Sequence, residues 1–337
     1  MDKVLVIGGA GFIGSELTNL LVEHGNDVTV VSRSAGARPS QPRLAYARGD
    51  VADPHRMREL IAGKDVVYDL SMSLGARWED YQRDYIDGST NVARACLEHR
   101  VRRLIYTSSI SALFMGRRGK LDETAGPDSK PRKRGFYGRA KIEAERVLLG
   151  FHSRDRLPVA IFRPAIVVGP GGWLIHPALG FKVNEICILG FGPGIYPLPF
   201  VLVRDVADAL LLAKDAPNIE GQSFNLAGDV RPAAVEYVRI LRERTRRNIR
   251  FYPRRLWWIG LAERTRWLLK ALMRKPGNIC EPSRDTRSMA MCCDLDCSLA
   301  KRLLGWTPVR DREEFLRQAI DCHLKPFPPG DLRCSSR

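Results

Sequence analysis

The sequence predicts an α/β protein: a doubly wound parallel sheet carrying a smaller, mostly helical C-terminal lobe. Three observations predict it. The run Val4-Leu5-Val6-Ile7 is wholly apolar and rich in β-branched residues, as a strand buried on both faces requires. Gly8, Gly11 and Gly14 follow at once, and from Ile13 the residues Leu17, Leu20 and Leu21 recur at helical spacing. Further apolar runs then alternate with helical stretches, the order that builds parallel strands through crossover helices.

The glycines lie on a strand-to-helix turn. Gly8 allows a tight bend, Gly11 puts no side chain between the backbone and a pyrophosphate, and Gly14 lets the helix lie against the strand. With Phe12 and Ile13 they form the helix start, whose free N–H groups face the phosphates of a dinucleotide. Gly25 stops that helix. Asp27-Val-Thr-Val-Val-Ser32 is a second buried strand. An NAD-preferring site places a carboxylate at its end, on the ribose 2′-OH; this chain has Ser32 and Arg33, with Arg38 nearby. A guanidinium binds the 2′-phosphate that a carboxylate would repel, so these residues favour NADP over NAD.

Residues 44–48 read as a short strand, and Asp53-Pro54 starts the next helix with Asp as cap and Pro in the first turn. Residues 65–72 form a strand ending near Ser71 and Met72, 85–96 open into a helix, and 103–109 form a strand ending in hydroxyl residues. The Gly-, Lys- and Pro-rich stretch up to Arg134 lacks apolar periodicity and reads as a surface loop able to move. Phe136 to Lys141 begins a helix whose apolar members are Ile142, Ala144, Val147 and Leu148. Residues 159–170 are another strand, 199–209 a strand and helix with Asp205 as the cap, and 223–228 a further strand. The expected division is a dinucleotide-binding domain over 1–170 with 200–228 returning to it, a substrate lobe from 171–199 and 229–325, and a tail over 326–337.

The bulk properties narrow the class. The chain has 337 residues, 45% of them hydrophobic, and a net charge of +16. It begins with Asp2 and Lys3 leading straight into the first strand, without a signal-peptide pattern, and no apolar run is long enough to span a bilayer. The eight cysteines include no C-x-x-C pair; reduced thiols, no metal site and a cytoplasmic setting are expected. The basic excess clusters at 130–134 and 242–255 without any recognisable nucleic-acid module, so no nucleic-acid partner is expected.

The pattern Gly8-Gly9-x-Gly11-x-x-Gly14 resembles the extended short-chain dehydrogenases, the NAD(P)-dependent epimerase/dehydratase group, whose members include nucleotide-sugar epimerases and 3β-hydroxysteroid dehydrogenases. Arg163-Pro164 with Gly169-Pro170, residues 199–209 and residues 300–308 are also similar to that group, so the likeness runs from Val4 to about Ile320. It implies a Rossmann-type sheet, Asp50-Val51 against the adenine, Ser71 near the cofactor, Asn91 as a matching position, and Pro164 and Ile166 on a segment beside the nicotinamide. It implies Ser109, Tyr137 and Lys141 as catalysts, with Ser108 and Ser111 as fallback hydroxyls. Two positions depart: Met72 stands where a small residue is usual, and Tyr85 where an Asn is usual.

Tyr137 and Lys141 are four apart on one helix face. A free phenol titrates near 10; an adjacent ammonium and a nicotinamide ring would lower it, so that Tyr137 exchanges a proton with an alcohol or ketone as hydride moves. Lys141 would also hold the ribose hydroxyls, and Ser109 the substrate oxygen. Ile110 and Ser111 replace the Asp-Glu pair of sugar dehydratases, which disfavours elimination. The leading expectation is hydride transfer on a nucleotide-linked sugar. A reductase of a hydrophobic, steroid-like or lipid-linked alcohol or ketone is the alternative, and a non-catalytic dinucleotide sensor or scaffold the third reading. Members of the group often form homodimers, which makes a homodimer an option. Residues 256–273 gather Trp257, Leu261, Leu268 and Leu272 on one helical side beside Trp258 and Leu269; this is either a packed wall of the substrate lobe or an interfacial helix meeting a membrane surface.

Overall fold

The computed structural model describes residues 1–34, 41–73, 75–184, 186–273 and 282–324. The first apolar run becomes strand β1 (Lys3–Ile7), with Val4, Leu5 and Val6 fully buried. It is followed by β2 (Asp27–Ser32), β3 (Leu44–Arg48), β4 (Val66–Asp69), β5 (Arg103–Thr107), β6 (Val159–Pro164) and β7 (Ser223–Leu226). These seven form one sheet in the order β7-β6-β5-β4-β1-β2-β3, every pair parallel. The order reverses at β1 and β4, so the loops after β1, β2, β4, β5 and β6 all open at the carboxyl edge, where such sheets bind ligands.

Helices α1 (Phe12–Glu23), α2 (Pro54–Ile61), α3 (Gly88–Glu98), α4 (Phe136–Asp155) and α5 (Val203–Ala213) cover the sheet. One apolar cluster joins α1 and α5 to one face through Leu17, Leu20, Val206 and Leu210. A second joins α2, α3 and α4 to the other through Met57, Val92, Ala144 and Leu148. Asp53 caps α2 as expected, accepting from Arg56 N at 3.0 Å. The strand expected over 159–170 breaks at Ala165: β6 stays in the main sheet, whereas Ile166–Val168 pairs with Phe200–Leu202 apart from it.

A third apolar cluster, holding Phe200, Tyr237, Leu241 and Phe315, forms the core of a second lobe. Its helices include α6 (Ala234–Thr245) and α7 (Leu256–Leu272). The lobe expected to be mostly helical also carries a sheet, in which Cys187–Phe191 lies between Arg250–Arg254 and Gly180–Asn184. Within the stretch assigned to this lobe, Cys293, Leu295, Leu304 and Trp306 pack into the first cluster, under the main sheet.

Two local expectations are corrected. Asp205 does not cap α5, which starts from Leu202 directly off the strand. Instead its carboxylate accepts from Val309 N and its carbonyl from Trp306 Nε1 (2.8 Å), tying down the chain end. The loop before α4 is anchored, not free: Gly119–Leu121 pairs with Cys293–Leu295, and buried Arg134 bridges Asp128 (3.1 Å) and Asp285 (2.6 Å).

Candidate active site

The glycine turn is shaped by backbone packing. Gly8 has φ +77°, and a Cβ there would lie 2.5 Å from Leu70 O, on the turn after β4. A Cβ on Gly14 would fall 2.7 Å from Gly9 Cα and against Gly8 O. Gly11 is the cap of α1, with no side-chain hydrogen bond and no acidic residue in the first turn. A helix start left uncapped by side chains, above a cradle that any Cβ would fill, suits an anionic pyrophosphate. Beside it, Ser71 Oγ is buried with no hydrogen-bond partner among the described residues. On these observations the residues fit a dinucleotide.

The chemistry sits one strand pair away. β5 ends at Thr107 and hands the chain to Ser109, whose Oγ accepts from Ser111 N at 3.1 Å. Helix α4 starts beside it and projects Tyr137, Lys141 and Glu145 toward the sheet at successive i,i+4 positions. The Ser109 hydroxyl hydrogen-bonds the Tyr137 phenol. Tyr137 remains 37% exposed, on the cleft. Its phenol is pushed above the ordinary range by burial, with the Ser109 bond acting in the opposite direction.

Lys141 is buried. Its Nζ donates to Thr107 O at 2.8 Å and Tyr106 Oη at 3.3 Å, and lies 4.4 Å from the Tyr85 ring centroid. Burial lowers its pKa to about 8, against the raising influence of Asp69 and Glu145. The expected acidification of Tyr137 by this ammonium is therefore absent from the geometry, because Lys141 is bonded to β5. Tyr85 occupies the departing position: its ring meets Tyr137 edge-on at 6.0 Å and floors the site beneath the ammonium. Behind them Glu145, fully buried, accepts from Ser108 Oγ (2.5 Å) and from Arg163 (Nη2 at 2.7 Å). Glu145 escaped the sequence reading, and Tyr85 was read there only as a departure from the family pattern, with no part in the site. Their signals were a carboxylate on the apolar stripe of α4 and a Tyr81–Tyr85 pair at helical spacing.

The other positions lie along the same edge. Asn91 Nδ2 donates to Val51 O at 2.9 Å, and Asp50 closes its own turn by accepting from Ala52 N. Arg33, next to Ser32, reaches the Met72 carbonyl (3.3 Å) and buried Asp84 (3.6 Å), which also pairs with Arg83. Arg38 lies outside the described residues. Phe12 packs so close to Gly172 that a Cβ there would touch its ring at 2.6 Å.

A cleft of about 730 Å³ opens from Ser109 and Tyr137 into the second lobe. Ile166 and Ala165 form its floor, and Trp173, Ile175, Phe181, Phe191, Met289 and Met291 its walls; the cations Lys182 and Arg247 also line it. His176 adds a polar group of fixed character. Ala178 N–H donates to its Nδ1 at 3.1 Å, and burial lowers the ring to about 4, so the imidazole is neutral with its proton on Nε2.

Comparison with known proteins gives the family and the fold. Residues 4–227 match the model of the NAD dependent epimerase/dehydratase family. The chain is 31% identical over 219 residues to a 2-alkyl-3-oxoalkanoate reductase of Stenotrophomonas maltophilia, covering 64% of this chain and 66% of that one. It is 26% identical to 3beta-hydroxysteroid-dehydrogenase/decarboxylase isoform 1 of Arabidopsis thaliana, over 95% of this chain and 80% of that one. Among solved structures, UDP-glucuronic acid 4-epimerase from Bacillus cereus in complex with UDP-glucuronic acid and NAD superposes with a TM-score of 0.72 at 20% identity, over 95% of this chain and 98% of that one. At that identity the likeness is one of fold.

Proposed function

The chain belongs to the NAD dependent epimerase/dehydratase family, a family of NAD-dependent oxidoreductases and epimerases, and from that premise we propose that it reduces the carbonyl of a hydrophobic ketone to a secondary alcohol. The observation that carries this reading is the apolar cleft ending on Ser109 and Tyr137. Aromatic and aliphatic walls bind a hydrocarbon skeleton and offer a sugar's hydroxyls few partners. This favours the second of the two substrate expectations. The reductase and hydroxysteroid dehydrogenase named among the relatives support the same choice.

The dinucleotide, when bound, supplies the hydride. Gly8, Gly11, Gly14 and the start of α1 would hold its pyrophosphate, and Ser71, Pro164 and Ile166 its nicotinamide end. Arg33, beside Ser32 and without a carboxylate at the end of β2, supports NADP as the preferred form. Ser109 donates a hydrogen bond to the ketone oxygen and Tyr137 gives that oxygen its proton. A protonated phenol is the form that reduction needs, and at neutral pH Tyr137 is in that form. Lys141, charged below about pH 8, would hold the ribose hydroxyls.

A second reading has its own observation: Lys182 and Arg247 in the cleft could face a diphosphate, as a nucleotide-sugar epimerase requires. A substrate panel separates the two. With NADPH, hydrophobic ketones are expected to be turned over and UDP-sugars not; turnover of UDP-sugars alone overturns the proposal. Tyr137→Phe should lower kcat on the ketone by about 10²–10⁴-fold with cofactor affinity unchanged. A variant that keeps its kcat would remove Tyr137 as the proton donor, and a chain that binds the dinucleotide but turns over no substrate would leave the sensor reading standing.

A further inference from the structure

The sequence left two fates for the helix over 256–273, and the structure excludes the packed wall. Trp257 and Trp258 stack at 4.3 Å yet are 55% and 53% exposed, and Leu261, Leu268 and Leu269 are open to about the same extent. The strand Arg250–Arg254 leads straight into this helix. In its sheet, Tyr252 pairs with Leu189, and Leu189 with Phe181, so the three share one face. Alternate residues of a strand also share a face, which places Arg250 and Arg254 there too. Phe181 and Phe191, ring against ring at 5.0 Å, belong both to this face and to the wall of the cleft. Aromatic side chains thus stand at the cleft wall, on the strand face beside it and on the helix that this strand leads into.

Charge accompanies it. Between residues 246 and 262 the sequence has five arginines and no carboxylate. Arg247, Arg250, Arg254 and Arg255 are all exposed. Aromatic side chains in a field of arginines match the two layers of an anionic bilayer, acyl boundary and phosphate. Among the described residues no helix is long and apolar enough to cross a membrane, so the contact is peripheral.

We propose that this face docks the protein on an anionic phospholipid bilayer and sets the cleft mouth against the lipid, so that a membrane-partitioned ketone enters without crossing water. The route of entry rests on the hydrophobic-substrate reading; the docking surface does not.

The test is co-sedimentation of the full chain with vesicles of phosphatidylcholine, with and without about 30% phosphatidylglycerol. Binding to the anionic vesicles is expected to be at least tenfold stronger and to weaken in ~0.5 M salt. Trp257→Ser/Trp258→Ser should lose tenfold or more in vesicle affinity while keeping cofactor binding and turnover of a short, water-soluble ketone. Equal retention on both vesicle types, or none on either, overturns the proposal. So does a solution dimer that the double variant dissociates, since a second copy would then cover the face. Vesicle binding with no ketone turnover leaves docking intact and removes the substrate reading instead.

Discussion

Lys141 shows what a buried cation costs its own fold. The residue is 3% exposed, its ammonium bonds two neutral oxygens, and among the described residues no carboxylate pairs with it directly. Its pKa falls from 10.5 unfolded to about 8 folded. Below pH 8 both states hold the proton and the full penalty, ~3 kcal/mol, is present. Between pH 8 and 10.5 the unfolded chain keeps a proton that the folded chain has released, so this residue's contribution to stability rises with pH. Lys141→Met is therefore expected to raise the thermal midpoint at pH 7 by several degrees, with the gain shrinking toward pH 10, while activity is lost. Melting curves of both proteins at the two pH values check this; a midpoint at pH 7 at or below that of the unmodified chain would show the ammonium to be well solvated.

At the scale of the element, the strand-turn-helix at the N-terminus separates folding from binding within a few residues. A methyl group on Gly14 meets backbone, which cannot rotate away, and should cost about 1–3 kcal/mol as well as weakening cofactor binding. A methyl group on Gly11 has Gly8 O as its nearest neighbour, at 3.2 Å, and otherwise points into the space proposed for the pyrophosphate. Gly11→Ala should thus fold with near-normal stability and bind the dinucleotide at least tenfold more weakly. Chemical unfolding and cofactor fluorescence titration of the two variants give the comparison; equal losses in both measurements would contradict it. Helix α4 makes the same division along its length, with Tyr137 in the cleft, Lys141 against β5, and Glu145 locked to Arg163.

Across the whole molecule, the returning chain end holds the lobes in place. Trp306 is 1% exposed, packs into the cluster beneath the main sheet and donates Nε1 to Asp205 O. Asp205 takes Val309 N in turn, and burial raises its carboxyl to about 6. Farther along the sheet, Asp128 joins Arg134 and Arg284, binding the loop before α4 to residues about 150 positions later. Trp306→Ala should cost about 3–5 kcal/mol, lowering the urea midpoint of the whole chain. A loss below ~1 kcal/mol would mean that residues 293–306 only rest on the surface of the first core.

Much of this protein was legible without coordinates because the signals are local. β2 and β3 occupy the residues that their apolar runs predicted, and α1 ends where Gly25 turns the chain at φ +78°. Spacing alone placed Tyr137 and Lys141 on one side of a helix. The sequence thus determined the order of elements, the glycine turn and the shared helix of Tyr137 and Lys141, all set by neighbours within a few positions. Only the tertiary structure decided that Lys141 bonds Thr107 and not Tyr137, that the loop up to Arg134 is pinned by Asp285, and that aromatic side chains line the cleft. It also decided that Trp257 and Trp258 face outward. Each of these depends on partners tens to more than a hundred residues away, and which surfaces meet, and so which lose water, is settled only when the whole chain packs.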